Sequence, residues 1–152
     1  MRTRIKYQVG SETLQKILIA SLKAEASYEN LMSRTKSESL YLWLEFRKEA
    51  TTDFILKVLE NLDEMKVRAA ALPKLVVKVQ NLLADIKLFL VNKQNEAIIN
   101  ASLNIDKEYL DSLYDVLNHP TVTDVLYKLY QKQIDIIRNS AKQFVQGETL
   151  TY

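Results

Sequence analysis

The chain has 152 residues, of which 47% are hydrophobic, and its 21 basic and 19 acidic residues give a net charge of +2. This length fits one domain, and the apolar content is high enough to build a core, which excludes a disordered chain. Cysteine is absent, which excludes disulfides, thiolate metal sites and thiol catalysis. The interspersed charges are typical of a soluble surface and argue against an extended nucleic-acid footprint.

Scarce turn residues predict an all-α fold. The sequence contains only two glycines and two prolines, whereas sheets with tight hairpins need more. No run approaches the roughly 20 apolar residues of a membrane-spanning helix, and the longest candidate, Leu82 to Val91, is interrupted by Asp85 and Lys87. No apolar segment follows Met1 as it would in a signal peptide. We therefore expect a cytoplasmic protein that does not enter a membrane.

Residues 1–10 are predicted to form a basic arm, because Arg2, Arg4 and Lys6 occur there without an acidic residue. Such an arm is either a frayed terminus or a contact with a partner subunit or a phosphate backbone. Ser11 then fits the N-cap of a first helix over 12–34, with Glu12 near its positive end.

A second helix is predicted over 38–70, with Ser37 as its N-cap and Pro73 beyond its end. The middle of this helix, Glu45 to Asp53, is mostly polar although apolar runs flank it on both sides. Such an interruption is either a solvated stretch or a site inside a bundle. The positions nearest the core here are Arg47, Lys48, Thr51 and Thr52.

Apolar spacing typical of a helix continues over 74–117, which would be about 66 Å long as one helix. We expect a break in it, either within 91–95 or near Asn104-Ile105-Asp106. The clearest turn is Asn118-His119-Pro120. Thr121 and Asp124 resemble a capping box that opens a last helix over 121–146, which ends before Gly147 and a tail over 148–152.

The predicted helices form two hairpins, 12–70 and about 95–146, joined by a helical crossover over about 74–91. Short loops within each hairpin and a long connection between them describe an antiparallel four-helix bundle of the ferritin-like type. The sequence therefore predicts one helical-bundle domain over 11–147, with the additional crossover segment inside it.

The first hairpin, 17–62, resembles the first half of rubrerythrin and other ferritin-like proteins. The residues that carry the resemblance are Ala20 to Leu31, Leu40, Leu44 and Phe46 to Asp53. The second hairpin, through Asn118-His119-Pro120-Thr121 and on to Tyr130-Gln131-Lys132-Gln133-Ile134, resembles the second half of those proteins. The resemblance therefore spans both predicted hairpins and rests on pattern and spacing.

In that family, a carboxylate and a Glu-x-x-His motif from each hairpin bind two metal ions in the bundle core. This sequence departs from the pattern at each position. The first carboxylate aligns with Ser21, or with Glu25 one turn later, and the first motif becomes Glu49 and Thr52. The second carboxylate falls near Ser102 or Leu103, and the second motif becomes Gln133 and Ile136. Only Glu25, Glu49 and Asp53 remain as vestigial ligand candidates, so we expect no metal and no cofactor.

Other chemistries find even less support. His119 is the single histidine and lies in a turn, where a loop or capping role is the usual one. A Glu25 and Glu49 acid–base pair would lack convergent partner residues. Two interpretations of the polar middle stay open. Either a buried, paired network forms, or the charges face solvent and only the threonines point inward; the network would comprise Glu25, Arg47, Lys48, Glu49, Thr51, Thr52 and Gln133.

Aromatic residues favour protein contacts. Tyr41 and Trp43 are two apart and cannot share one helix face, and tyrosine outside a core often marks a contact with protein. We therefore expect a non-catalytic structural or interaction protein that forms a homo-oligomer or binds a protein partner. The alternatives are a degenerate ferritin-like metal-binding oxidoreductase, and a helical coat or nucleic-acid-packaging protein that uses Arg2, Arg4 and Lys6.

Overall fold

The computed structural model describes the backbone of residues 2–65 and 94–145, and the side chains of 11–65 and 95–142. It contains four helices over these ranges, and no strand occurs in them: α1 is Arg2–Met32, α2 is Glu38–Glu64, α3 is Gln94–Leu117 and α4 is Asp124–Val145. The predicted all-α class is confirmed. The predicted crossover, 74–91, lies outside the described residues.

The first helix begins at Arg2 and not at residue 12, so the predicted start of this helix is wrong. Ser11 is buried in the helix interior and is not an N-cap. The physical reason is that one internal glycine costs a helix only about 1 kcal/mol relative to alanine. The side chains of Arg2, Arg4 and Lys6 lie outside the described set.

The start of α2 is the predicted one. Ser37 has an extended backbone, and its side chain accepts a hydrogen bond from the backbone N–H of Leu40 at 3.4 Å. Glu38 stands in the first turn, where the helix dipole favours an acid. The helix ends at Glu64, earlier than the predicted 70, and the break predicted at Pro73 falls outside the described residues.

The third helix runs without interruption from Gln94 to Leu117, so a break at 104–106 is wrong. The other predicted position for a break, 91–95, lies mostly outside the described residues. The Asp106 side chain bonds to groups on other helices and so does not compete for the backbone hydrogen bonds of its own helix.

The turn at Asn118-His119-Pro120 is confirmed, but the cap that follows it is not the predicted one. Thr121 lies within the turn, where its hydroxyl is 2.7 Å from Nδ1 of His119. The helix begins at Asp124, and the hydroxyl of Thr123 accepts the N–H of Leu126 at 3.3 Å. Thr123 is therefore the N-cap, because its hydroxyl is the one that reaches the first free N–H groups.

The bundle places α1 against α2 and α3, and α4 against the same two helices. The helices α2 and α3 lie diagonally opposite, and α1 and α4 share no close backbone approach within the described ranges. Leucine, isoleucine, valine and aromatic side chains from all four helices fill the interior, including Leu14, Tyr28, Leu44, Val58, Ile98, Leu113, Tyr130 and Ile137. None of the helices in this part of the chain combines the length and apolar content needed to cross a bilayer.

Candidate functional site: a buried polar layer

Arg47 lies at the centre of the bundle, and its side chain is 0% exposed. Helix α2 directs it inward because residue 47 shares one face with the buried residues Leu40, Leu44 and Thr51. Its Nη2 donates to Oδ2 of Asp106 at 2.7 Å. Its guanidinium carbon stands 3.5 Å from the ring centroid of Trp43, which adds a cation–π contact.

Asp106 joins three helices through its two carboxylate oxygens. Oδ2 accepts from Arg47 of α2, and Oδ1 accepts the hydroxyl of Tyr28 of α1 at 2.6 Å. Ser102, one turn earlier on α3, lies 3.4 Å from Nη1 of Arg47. Burial raises the pKa of the Asp106 carboxyl, and Arg47 and Tyr28 oppose this shift. Burial likewise lowers the pKa of Arg47, and Asp106 opposes that shift.

A second group of hydrogen bonds lies one turn further along the bundle and involves all four helices. The hydroxyl of Tyr109 is 2.8 Å from that of Ser21 and accepts from the Gln133 amide at 3.2 Å. The same amide lies 3.4 Å from the hydroxyl of Thr51, which in turn donates to the Arg47 carbonyl at 2.8 Å. We call the two groups together the buried polar layer; its members are Ser21, Tyr28, Arg47, Thr51, Ser102, Asp106, Tyr109 and Gln133.

Three buried tyrosines keep their protons well above the usual pH range. Burial raises the pKa of Tyr28 well above its ordinary value, and Asp106 raises it further, whereas Arg47 lowers it. Burial also raises the pKa of Tyr109, against the hydrogen bonds from its polar neighbours. Burial raises the pKa of Tyr130 to about 12. The three hydroxyls are therefore neutral, and those of Tyr28 and Tyr109 form hydrogen bonds within the bundle.

The structure divides the predicted network between interior and surface. Arg47, Thr51 and Gln133 lie inside, as the network interpretation requires. Thr52 donates to the Glu25 carboxylate at 2.6 Å at the half-buried edge. Lys48 is half-buried and Glu49 is exposed, as the solvated interpretation requires. Each interpretation is thus correct for part of the set, since neighbouring residues on one helix point in different directions.

The three vestigial ligand candidates do not lie together. Glu25 stands at the α1–α2 edge with Thr52, whereas Glu49 and Asp53 are exposed beside α4. No group of three or more His, Cys, Asp or Glu residues with metal-binding geometry occurs among the described residues. The family-aligned positions instead carry the neutral side chains of the buried polar layer, namely those of Ser21, Ser102 and Gln133.

Sequence reasoning missed Asp106, Tyr28 and Tyr109 as members of one site, although a signal for Asp106 was present. Buried residues of α3 recur every three or four positions, at Ile98, Ser102, Asp106, Tyr109 and Leu113. This spacing places an acid on the inner face of α3, while Arg47 places a base on the inner face of α2. Because unpaired charges are costly in a core, an acid and a base on two inner faces predict an ion pair.

A groove lies on the outside of the bundle between α2 and α4, with a volume of about 290 Å³. Its apolar residues include Phe46, Ala50, Phe54, Leu129 and Ile136, and its charged residues are Glu49, Asp53, Lys57 and Lys132. We call it the α2–α4 groove. Phe46 is 54% exposed at its edge, so a large aromatic ring is left in water.

Comparison with family models, curated proteins and solved structures gave no match to this chain. The geometry alone limits the chemistry of the buried polar layer. Each of its side chains belongs to a residue that is 2% exposed or less, so a substrate would not reach these groups without the helices separating. The layer can hold the helices in register, and its two charges, Arg47 and Asp106, are paired within the protein, whereas the buried Nε of Arg47 has no hydrogen-bond partner among the described residues.

Proposed function

We propose that this chain is a non-catalytic helical-bundle module that assembles with further copies of itself. The observation that carries the proposal is the closed ion pair of Arg47 and Asp106, which Tyr28 completes at the bundle centre. A ligand or substrate site is normally a concave space that its ligand can enter. At the centre of this bundle, the side chains of Arg47, Asp106 and Tyr28 contact one another and leave no such space between them, which supports a structural role.

We further propose that the bundle is antiparallel and ferritin-like. Along α1 and α3, Tyr28 meets Asp106 and Ser21 meets Tyr109, so residue numbers rise along one helix as they fall along the other. Trp43 meets Ser140 and Thr51 meets Gln133, which supports the same relation between α2 and α4.

The diagonal pair α2 and α3 supports the long connection of that fold. Arg47 contacts Ser102 and Asp106, and Thr51 and Tyr109 both contact Gln133. Residue numbers therefore rise in the same direction along α2 and α3. The end of α2 and the start of α3 then lie at opposite ends of the bundle. A helical crossover between them, within a cytoplasmic protein, completes the proposed architecture.

Exposed apolar side chains support self-assembly. Leu42, Phe46 and Leu56 on α2 are each more than half exposed, and Val125 on α4 is 70% exposed. Single exposed apolar residues are ordinary, but several on adjoining helices are typical of a contact surface. Tyr41 and Tyr127 add two aromatic rings of the kind that protein interfaces favour.

The test is light scattering with metal analysis on one preparation purified without chelator. The chain has a mass of 17.6 kDa, and we expect a multiple of it in solution, with no stoichiometric metal. A monomer at every concentration would overturn self-assembly. Stoichiometric iron or manganese would overturn the non-catalytic assignment and favour the metal-binding oxidoreductase. Retention on DNA that weakens steeply with salt would favour the packaging alternative instead.

A further inference from the structure

We infer that the α2–α4 groove is the surface through which two copies of this chain pair, with a two-fold axis running along the groove. This inference rests on the proposed self-assembly and adds the surface, the partner and the orientation. In this pairing, α2 of each copy lies over α4 of the other. The surface is isologous, which means that the same groove serves both partners.

The apolar part of the groove supplies the contact area. Phe46 stands 54% exposed at the α2 side, and Leu129 and Ile136 are partly exposed on the α4 side. Val125 is 70% exposed one turn before Leu129 on the same side of α4. A partner that covers these side chains removes them from water, which favours association.

The charges of the groove differ between its two walls. The α2 wall carries Glu49 and Asp53, with the single base Lys57 one turn further on, and the α4 wall carries Lys132. Lys128 and Asp135 are exposed on the flank of α4 beside Lys132 and offset each other, so the basic character of this wall rests on Lys132. Among the described residues, ion pairs occur only at Lys16–Asp115 and Arg47–Asp106, so the charges of the groove remain available to a partner.

This difference selects one of two symmetric arrangements. A two-fold axis along the groove places the acidic α2 wall of one copy against the basic α4 wall of the other. Glu49 of each copy then lies opposite Lys132 of the other copy. An axis across the groove would place acid on acid and base on base, which costs free energy. Complementary charge therefore favours a second copy as the occupant, in the first orientation.

A charge-swap experiment tests both the surface and the orientation. Glu49→Lys and Lys132→Glu are made in separate chains, and dimer dissociation is measured by sedimentation at low salt. Each single variant places like charges opposite each other twice, so we expect its dissociation constant to rise about tenfold or more. In an equimolar mixture of the two variants, every opposed pair is complementary, and we expect heterodimers with close to the wild-type dissociation constant.

Matched controls separate the groove from other surfaces. Lys107→Glu makes the same charge change at an exposed position of α3 and should leave dissociation unchanged. Phe46→Ser should weaken the dimer, while Tyr41→Ser, which alters an exposed aromatic residue of α2 outside the groove, should not. Circular dichroism of each variant establishes that the helices are retained.

The outcomes distinguish this inference from the proposed function. If the wild-type chain dimerises and the groove variants dissociate no more readily than Lys107→Glu, the surface is wrong while self-assembly stands. If both single variants are weakened but their mixture does not recover, the orientation is wrong. If the wild-type chain is monomeric, or if its groove binds a different protein and never a second copy, both the inference and self-assembly fail.

Discussion

The two ion pairs of the described chain differ in almost every physical respect. Arg47 and Asp106 meet at 2.7 Å with side chains 0% and 3% exposed, whereas Lys16 and Asp115 meet at 3.8 Å with side chains 72% and 73% exposed. The inner charges have lost their water and depend on each other, Tyr28 and Trp43. The outer charges keep their water and are screened by salt.

This contrast shows that a buried ion pair restricts how the helices pack against each other more than it adds net stability to the fold. The attraction between two buried charges roughly offsets the cost of dehydrating them. Breaking the pair on one side, however, leaves a lone charge in the core. Any packing of α2 and α3 that separates Arg47 from Asp106 is therefore costly in free energy. Separating Lys16 from Asp115 costs little, so this pair hardly restricts how α1 packs against α3.

The largest effect is expected from removing one inner partner. Asp106→Ala leaves Arg47 charged and unpaired in the core, and we expect a loss of about 3–5 kcal/mol in the free energy of unfolding. Urea denaturation followed by circular dichroism measures it. The double variant Arg47→Met, Asp106→Leu should regain most of this loss, since no lone charge remains. A loss below about 1 kcal/mol in the single variant would contradict this account of the pair.

Alkaline pH should destabilise the interior of the bundle through its buried tyrosines. The pKa of Tyr130 is raised from 10.0 to about 12 in the folded state, so between these values the folded chain binds more protons than the unfolded chain. Stability is then unaffected by this group below pH 10 and falls as pH rises above it.

By pH 11 the loss from Tyr130 alone should be about 1 kcal/mol, and the raised pKa values of Tyr28 and Tyr109 should add to it. Urea midpoints measured at a series of pH values provide the test, with tyrosinate absorbance recorded in parallel. Tyrosinate forming freely near pH 10 in the folded chain, at all tyrosines, would show that these hydroxyls are not buried as described.

A smaller effect is expected from removing one hydrogen bond to the inner carboxylate. Tyr28→Phe keeps the ring but deletes the hydroxyl that donates to Asp106 at 2.6 Å. Hydrogen bonds to charged groups contribute about 1.5–3 kcal/mol, and we expect a loss near the lower end because Arg47 still pairs with the carboxylate. Tyr41→Phe, at an exposed tyrosine of α2, is the matched control and should change stability by less than about 0.5 kcal/mol.

The smallest effect is expected at the exposed pair. Lys16→Ala should lower the free energy of unfolding by no more than about 0.5 kcal/mol, because both side chains remain hydrated. The difference from wild type should shrink further as salt is added. Thermal unfolding at low and high ionic strength measures both quantities, and a loss comparable with that of Tyr28→Phe would remove the contrast between the two pairs.

Helical periodicity predicted several residues of the buried polar layer but not which residues pair with each other there. Helical spacing placed Arg47, Lys48, Thr51 and Thr52 nearest the core; Arg47 and Thr51 are buried, whereas Lys48 and Thr52 are half-buried. Gln133, which the resemblance aligned with the second metal motif, is also buried. Asp106 was interpreted as part of a break near Asn104-Ile105-Asp106, and asparagine and aspartate are common in turns. Its pairing with Arg47 joins residues 59 positions apart, and local spacing on one helix carries no information about such a partner.

The sequence by itself determined the helical class, the Ser37 cap of α2 and the turn at Asn118-His119-Pro120, since each depends on neighbouring residues and on backbone hydrogen bonding within a few positions. Only the tertiary structure decided that α1 continues through Gly10 and that Thr123 caps α4. It also decided that Arg47, Asp106 and Tyr28 converge in one place. The reason is that a buried charge is stable only beside its opposite, and which helices bring the two together is a property of the assembled bundle.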